Sequence, residues 1–193
     1  MAVKPAKPKS SPIDGFGLDP TFGKKLLKLL DACKAEGLDF RISQGLRSPQ
    51  IQAKYYCQWD QRPPSVINAA AAKMKASGAP WLASVLLEFR DIDRIKNWQT
   101  SALPGGGWHQ WGEAADCYCY RNGKMVGNGE DPCYRTYADA AIEIGLTPGL
   151  DFSRPDAGHV QLRSATDATS LYTWAQIDEI MKARFSEKPG AKV

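Results

Sequence analysis

Apolar residues along this chain recur first at helical and then at strand-like intervals. Phe22, Leu26, Leu29, Leu30 and Cys33 fall on one helical face. Asp19 is a suitable cap for that helix, Pro20 suits its first position, and the pattern ends near Gly37. Asp39 to Ser43 reads as a short strand with Phe40 and Ile42 on one side. Gly45-Leu46-Arg47-Ser48-Pro49 is a turn, and Ser48-Pro49 starts a second helix that runs to about Trp59. Asn68 to Ala76 is rich in Ala and Lys and reads as helix. Pro80 begins a stronger one, whose core face carries Leu82, Val85, Leu86, Phe89, Ile92 and Ile95. Pro104-Gly105-Gly106-Gly107 then breaks all regularity.

Beyond this break, Ala114 to Tyr120 has strand character. Arg121-Asn122-Gly123-Lys124 reads as a hairpin turn, because Asn-Gly tolerates positive backbone dihedrals. A helix is expected from about Tyr134 to Ile144, stopped by Gly145, and a strand over His159 to Arg163 with His159, Gln161 and Arg163 on one face. Thr173 and Gln176 form a capping box for a last helix, docked by Trp174, Ile177, Ile180 and Met181. The pattern predicts an α+β fold, a small antiparallel sheet packed with helices. A loose tail is expected over residues 1–15, then one domain over 16–188 with a helical insertion at about 60–104.

Composition changes this picture little. Net charge is +4, which fits approach to an anionic polymer and equally fits ordinary solubility. No zinc-finger spacing, Arg-rich helix or aromatic RNA-binding pattern occurs, so no nucleic-acid partner is expected. No apolar run approaches a membrane span and no secretory signal is seen at the start, so stable membrane association is not expected. The five cysteines have no Cys-x-x-Cys spacing. Buried free thiols are expected, with Cys119 and Cys133 the pair that an oxidising compartment could bridge.

The candidate chemistry lies in the two histidines. His109 opens His109-Gln110-Trp111-Gly112-Glu113-Ala114-Ala115-Asp116, and His159 closes Pro155-Asp156-Ala157-Gly158-His159. Two histidines and a carboxylate are a common catalytic zinc set that leaves a position open. Seven residues span roughly 10 Å in a helix and roughly 23 Å in a strand. Donor atoms on one zinc must lie within about 4 Å of each other. The chain must therefore fold back between His109 and Asp116, and Gly112 offers the turn. Asp156, in a turn before His159, is placed to take a proton from an attacking water and return it to a leaving amine. Each residue also has an ordinary reading: a hydrogen-bonded core histidine, a turn-capping Asp156, a surface-paired Arg47. Trp108 and Trp111 beside His109 fit either core packing or a groove wall.

Taken together, these segments resemble the zinc D,D-carboxypeptidase and L-alanyl-D-glutamate endopeptidase family that cuts bacterial peptidoglycan stem peptides. The resemblance rests on His109, Gly112, Ala114 and Asp116; on Asp156-Ala157-Gly158-His159 leading into Val160-Gln161-Leu162; and on Gly45, Arg47, Ser48 and Gln52. It implies the fold of that zinc peptidase family, one zinc ion held by His109, Asp116 and His159, and Asp156 as the catalytic acid/base. It implies that Arg47 binds or orients a substrate carboxylate or polarised carbonyl, with Gln52 supporting that pocket and Trp108 and Trp111 as candidate substrate-binding walls. Asp rather than Glu before the last histidine looks closer to the phage L-alanyl-D-glutamate endopeptidases. The implied protein is a monomeric phage endolysin that waits in the host cytoplasm for a holin and then acts at the wall. A D-alanyl-D-alanine carboxypeptidase or dipeptidase is the alternative enzyme, and a noncatalytic wall-binding protein the alternative of another class. The chain departs from the family in the long interval between Gln52 and His109 and in Pro104-Gly105-Gly106-Gly107-Trp108, where a serine or threonine is common.

Overall fold

A computed structural model describes residues 11–186. Among the described residues, six α-helices accompany a five-stranded antiparallel sheet, an α+β architecture as the pattern predicts. Helix α1 (Pro20–Ala35) starts where Asp19 accepts the amides of Thr21 and Phe22, at 2.8 and 3.0 Å. Strand β1 (Asp39–Gln44) follows, then α2 (Pro49–Cys57), capped by Ser48. Helices α3 (Pro64–Ala76) and α4 (Pro80–Glu88) fill the long interval. Strands β2 (Ala114–Arg121) and β3 (Lys124–Met125) form the hairpin, with φ of 53° at Asn122 and 76° at Gly123. Then come α5 (Pro132–Glu143), β4 (Thr147–Pro148), β5 (His159–Gln161) and α6 (Trp174–Phe185), the last with its Thr173–Gln176 capping box.

The strands lie in the order β1-β2-β5-β4, with β3 beside β2 at its far end. One face of the sheet is dry. Phe40, Ala115, Cys117, Cys119 and Val160 pack there against Phe22, Leu26, Leu29 and Cys33 of α1 and Tyr134, Tyr137 and Ala141 of α5. A second cluster joins α2, α3, α4 and α6, through Ala53, Ile67, Met74, Leu82, Leu86, Ile177 and Met181, with Trp108. Helices α3 and α4 therefore share a core with α2 and α6. All five cysteines are buried free thiols. Burial pushes Cys33 and Cys57 up to about 11 and Cys117 to about 12, so they stay protonated and unreactive.

Several expectations change. Residues 11–15 are turns on the body of the protein, with Ile13 packed against the core; residues 1–10 of the expected tail, and the end of the domain at 188, lie outside the described residues. Helix α4 stops at Glu88 and does not reach Ile92 and Ile95. There Arg94 donates to the Arg90 carbonyl at 2.8 Å, and Ile95 bridges back to Trp59, leaving its side chain 41% exposed. Long-range hydrogen bonds thus take over where the helical spacing continues. Strand β5 ends at Gln161, and Arg163 turns away to a two-pronged pair with Glu113, at 2.7 and 2.8 Å.

On α6, Ile180 is 39% exposed and Asp178 is buried instead. Helix α4 has no side-chain cap of its own, and Asp178 accepts the amides of Trp81 and Leu82, at 3.3 and 2.7 Å. Asp178→Ala would orphan a buried amide, so chemical denaturation should show a loss of about 1–3 kcal/mol. An unchanged unfolding midpoint would mean that water replaces the carboxylate.

Candidate active site and metal centre

Three segments bring the chemical residues to the wet face of the sheet. In β2, Ala115 and Cys117 point into the core, so alternation turns Asp116 and Tyr118 the other way. Asp116 is directly opposite His159 across β2 and β5, and opposite Gln44 across β1 and β2. Cross-strand partners share a face, so register alone puts His159 beside Asp116. Gly158 permits this approach: a Cβ there would meet the Cys117 carbonyl at 2.8 Å and the Tyr118 ring at 2.9 Å. His109 arrives on a short 3-10 turn, Trp108–Trp111. Gly112, at φ 75°, then reverses the chain into β2, and a Cβ on it would strike the Gly17 carbonyl at 2.9 Å.

The result is a compact trio. His109 Nε2 lies 3.2 Å and His159 Nδ1 3.1 Å from the same Asp116 oxygen. One donor atom from each of the three lies within 4.8 Å of the others, a set that could hold a metal ion. The other ring nitrogens are already engaged. His109 Nδ1–H donates to the Gly45 carbonyl at 2.9 Å. His159 Nε2–H donates to Gln161 Oε1 at 3.1 Å. The Gln161 amide cannot turn over freely, because its nitrogen donates to the Arg163 and Ala165 carbonyls, at 2.7 and 2.9 Å. Each imidazole is thereby held in the tautomer that presents a lone pair to the shared point. Burial alone would raise the Asp116 carboxyl, but the two imidazoles hold it well below the usual carboxylate range. Burial alone would favour neutral His159, yet Asp116 outweighs it and raises the imidazole pKa. The carboxylate and the two imidazoles thus favour one another's charged forms.

Around the trio runs a groove of about 1130 Å³. Asp156, Arg47, Gln52, Tyr118 and Trp108 all line it. Asp156 sits on a turn closed by its own amide on the Gly149 carbonyl, at 2.9 Å. Its carboxyl opens to the groove and makes no side-chain hydrogen bond among the described residues. The crowding walls desolvate it, nearby Asp116 repels its charge, and its pKa is raised. Burial, with Asp116 and Asp156, pushes the Tyr118 hydroxyl up to about 12. Arg47 donates to Gln52 Oε1 at 2.9 Å and to Gln44, and lies 3.5 Å from the second Asp116 oxygen.

Gln52 is 1% exposed, and its amide is fully engaged by Arg47, Gln110, Thr100 and the Ala102 carbonyl. It fixes Arg47 and the far wall and has no free group for a ligand. Trp108 is only 2% exposed and donates to the Ala165 carbonyl, so it forms floor. Trp111 does not line the groove: it stacks on Tyr172 at 4.8 Å and bonds the Gly105 carbonyl. The expected groove wall at Trp111 is thus corrected to core packing behind the site. Gln44, Gln110 and the orienting roles of Gly45 and Gln161 are additions. The one signal for them in the sequence is a polar Gln161 two residues from His159, on the same strand face.

No curated protein matches the chain. Among solved structures, a variant of the vancomycin-resistance D,D-pentapeptidase VanY from a VanB-type cassette, with Zn(II), is 19% identical over 77% of this chain and 74% of its own, at a TM-score of 0.45. The L-Ala D-Glu endopeptidase ChiX of Serratia marcescens is 16% identical over 76% of this chain and 81% of its own, at 0.39. The LD-carboxypeptidase LdcB is 16% identical over 86% of this chain and 64% of its own, at 0.45. The family model described as VanY, D-alanyl-D-alanine carboxypeptidase, matches residues 16–142, a span that takes in Arg47, Gln52, His109 and Asp116 and stops before Asp156 and His159. With more than half of its length matched, the chain belongs to the VanY D-alanyl-D-alanine carboxypeptidase family.

Proposed function

We propose that this protein is a zinc-dependent peptidase of bacterial peptidoglycan, and that the bond it cuts is L-alanyl–D-glutamate in the stem peptide. The observation that carries the reading is the convergence, in one groove, of the His109–Asp116–His159 trio, a protonatable Asp156 and a buried Arg47. His109, His159 and Asp116 would hold one zinc. Bound there, zinc supplies a Lewis acid that lowers the pKa of water toward neutrality. Asp156 takes the proton of the attacking water as its oxygen joins the carbonyl carbon. It then delivers that proton to the departing amine as the C–N bond breaks. Arg47, braced by Gln44 and Gln52, offers fixed donors to a substrate carboxylate or to the developing oxyanion.

The choice of bond rests on the likeness of Asp156-Ala157-Gly158-His159 to phage endopeptidases. The family description favours a second reading, removal of D-alanine from the stem terminus, with the same residues in the same roles. Mass spectrometry of purified wall after digestion separates them. Endopeptidase action exposes a new amino terminus on D-glutamate. Release of D-alanine without that terminus would decide for the carboxypeptidase. An endolysin should in addition lyse cells from within when expressed beside a holin-type pore.

The orienting shell makes its own prediction. Gln161→Leu removes the acceptor for His159 Nε2–H while keeping the side chain's bulk. Partners that hold a metal-bound histidine are commonly worth roughly 10- to 100-fold in metal affinity. Competition with a chelator of known strength should show a loss of that order. Undiminished zinc affinity would show that the strand alone orients His159.

A further inference from the structure

Nine of the ten arginines donate to a carboxylate, a side-chain amide or a backbone carbonyl. Arg154 is the tenth. It lines the groove, it is exposed, and among the described residues it makes neither an ion pair nor a hydrogen bond. Its one partner is the ring of Trp98, 4.3 Å from the guanidinium carbon. Stacking occupies the face of the guanidinium and leaves its N–H edge free.

Both sides of this contact are anchored. Arg154 lies two residues before Asp156, in a loop pinned where the Gly149 carbonyl accepts the amides of Phe152 and Asp156, at 3.1 and 2.9 Å. Phe152 in turn leans on the His159 ring, at 5.7 Å. Trp98 belongs to the long interval between α4 and the 3-10 turn, two residues before Thr100. Gln52 holds the Thr100 hydroxyl and Arg62 the Thr100 carbonyl, at 2.9 and 2.8 Å. A cation with free donors therefore lines the same groove as the metal trio, two residues along the chain from Asp156.

We infer that Arg154, held on Trp98, is a second carboxylate-binding point that selects peptides carrying a free carboxylate beside the scissile bond. This rests on the proposed peptidase reading. D-Glutamate linked through its γ-carboxyl keeps its α-carboxylate free, and that group is the chemistry Arg154 fits. The same peptide with this carboxylate as a carboxamide has no charge to offer and should be taken less well.

The test uses two synthetic stem peptides that differ only in this carboxylate or carboxamide. Zinc-loaded protein is compared with Arg154→Gln, both for hydrolysis and, in an Asp156→Asn background, for equilibrium binding. The carboxylate peptide should be preferred by about tenfold or more, the scale of one charged hydrogen bond. That ratio should collapse toward one in Arg154→Gln, and Trp98→Ala should lower it in the same direction. Cleavage of both peptides with a preference that survives Arg154→Gln, or with none to begin with, overturns the inference and leaves the peptidase reading standing. A wild-type protein that neither binds nor cuts either peptide overturns both.

Discussion

Asp156→Asn should remove most turnover while leaving the zinc and the fold in place. Asn has nearly the same shape but carries no exchangeable acid proton, and the Asp156 carboxyl makes no side-chain hydrogen bond among the described residues that its loss would break. The turn itself is held by backbone bonds, from the Asp156 amide to Gly149 and from the His159 amide to the Asp156 carbonyl, at 2.9 and 3.1 Å. The expected cost is the value of general acid/base catalysis, roughly 100- to 10,000-fold in rate. Metal content, thermal unfolding and the rate on purified muropeptide should be measured on one preparation. Full activity with zinc bound would assign the proton to another group. Desolvation and Asp116 both raise the Asp156 pKa and so favour its acid form.

The second large effect concerns the metal. His109→Ala removes one of three donors and should abolish stoichiometric zinc binding and activity together. Proton linkage provides a subtler check. In the metal-free protein the His159 pKa is raised above its unfolded value. Its interaction with Asp116 therefore stabilises that form fully below the unfolded pKa, and the stabilisation is lost as pH rises through the folded one. Zinc needs the neutral ring, so its affinity should run the opposite way. It should weaken about tenfold per pH unit, for one displaced proton, below the raised pKa, and level off above it. Chelator competition across pH 5 to 9 should show this slope. A flat profile would mean that His159 carries no proton in the metal-free site.

Short-range chemistry is legible in the chain itself. Asp19, Ser48 and Thr173 each cap the helix that follows, as their residue types predict, because a cap bonds amides two or three residues away. Asn122-Gly123 makes its hairpin for the same reason of short range. Gly112 is the return point that distance alone requires, since neither a helix nor a strand lets His109 and Asp116 meet. Periodicity misleads where a distant partner intervenes. The helical spacing through Ile95 is overridden by its bridge to Trp59, and on α6 the buried position goes to Asp178 because α4 lacks a cap.

What the sequence by itself determined was the inventory: two histidines, an aspartate after a glycine turn, a carboxylate three residues before the second histidine, and an α+β pattern to carry them. Tertiary structure decided how they face one another. The pairing of Asp116 with His159 is a matter of strand register, and the tautomers depend on a carbonyl at Gly45 and an amide at Gln161. Trp111, adjacent in sequence to the site, is turned into the core, while Trp98 and Arg154, distant in the chain, meet across the groove. A side chain's partners within four residues follow from backbone geometry that every helix or turn shares. Partners further away depend on how whole elements pack, and that is settled by the burial of Leu82, Ile177, Phe22 and Tyr137, none of which carries any chemistry of the site.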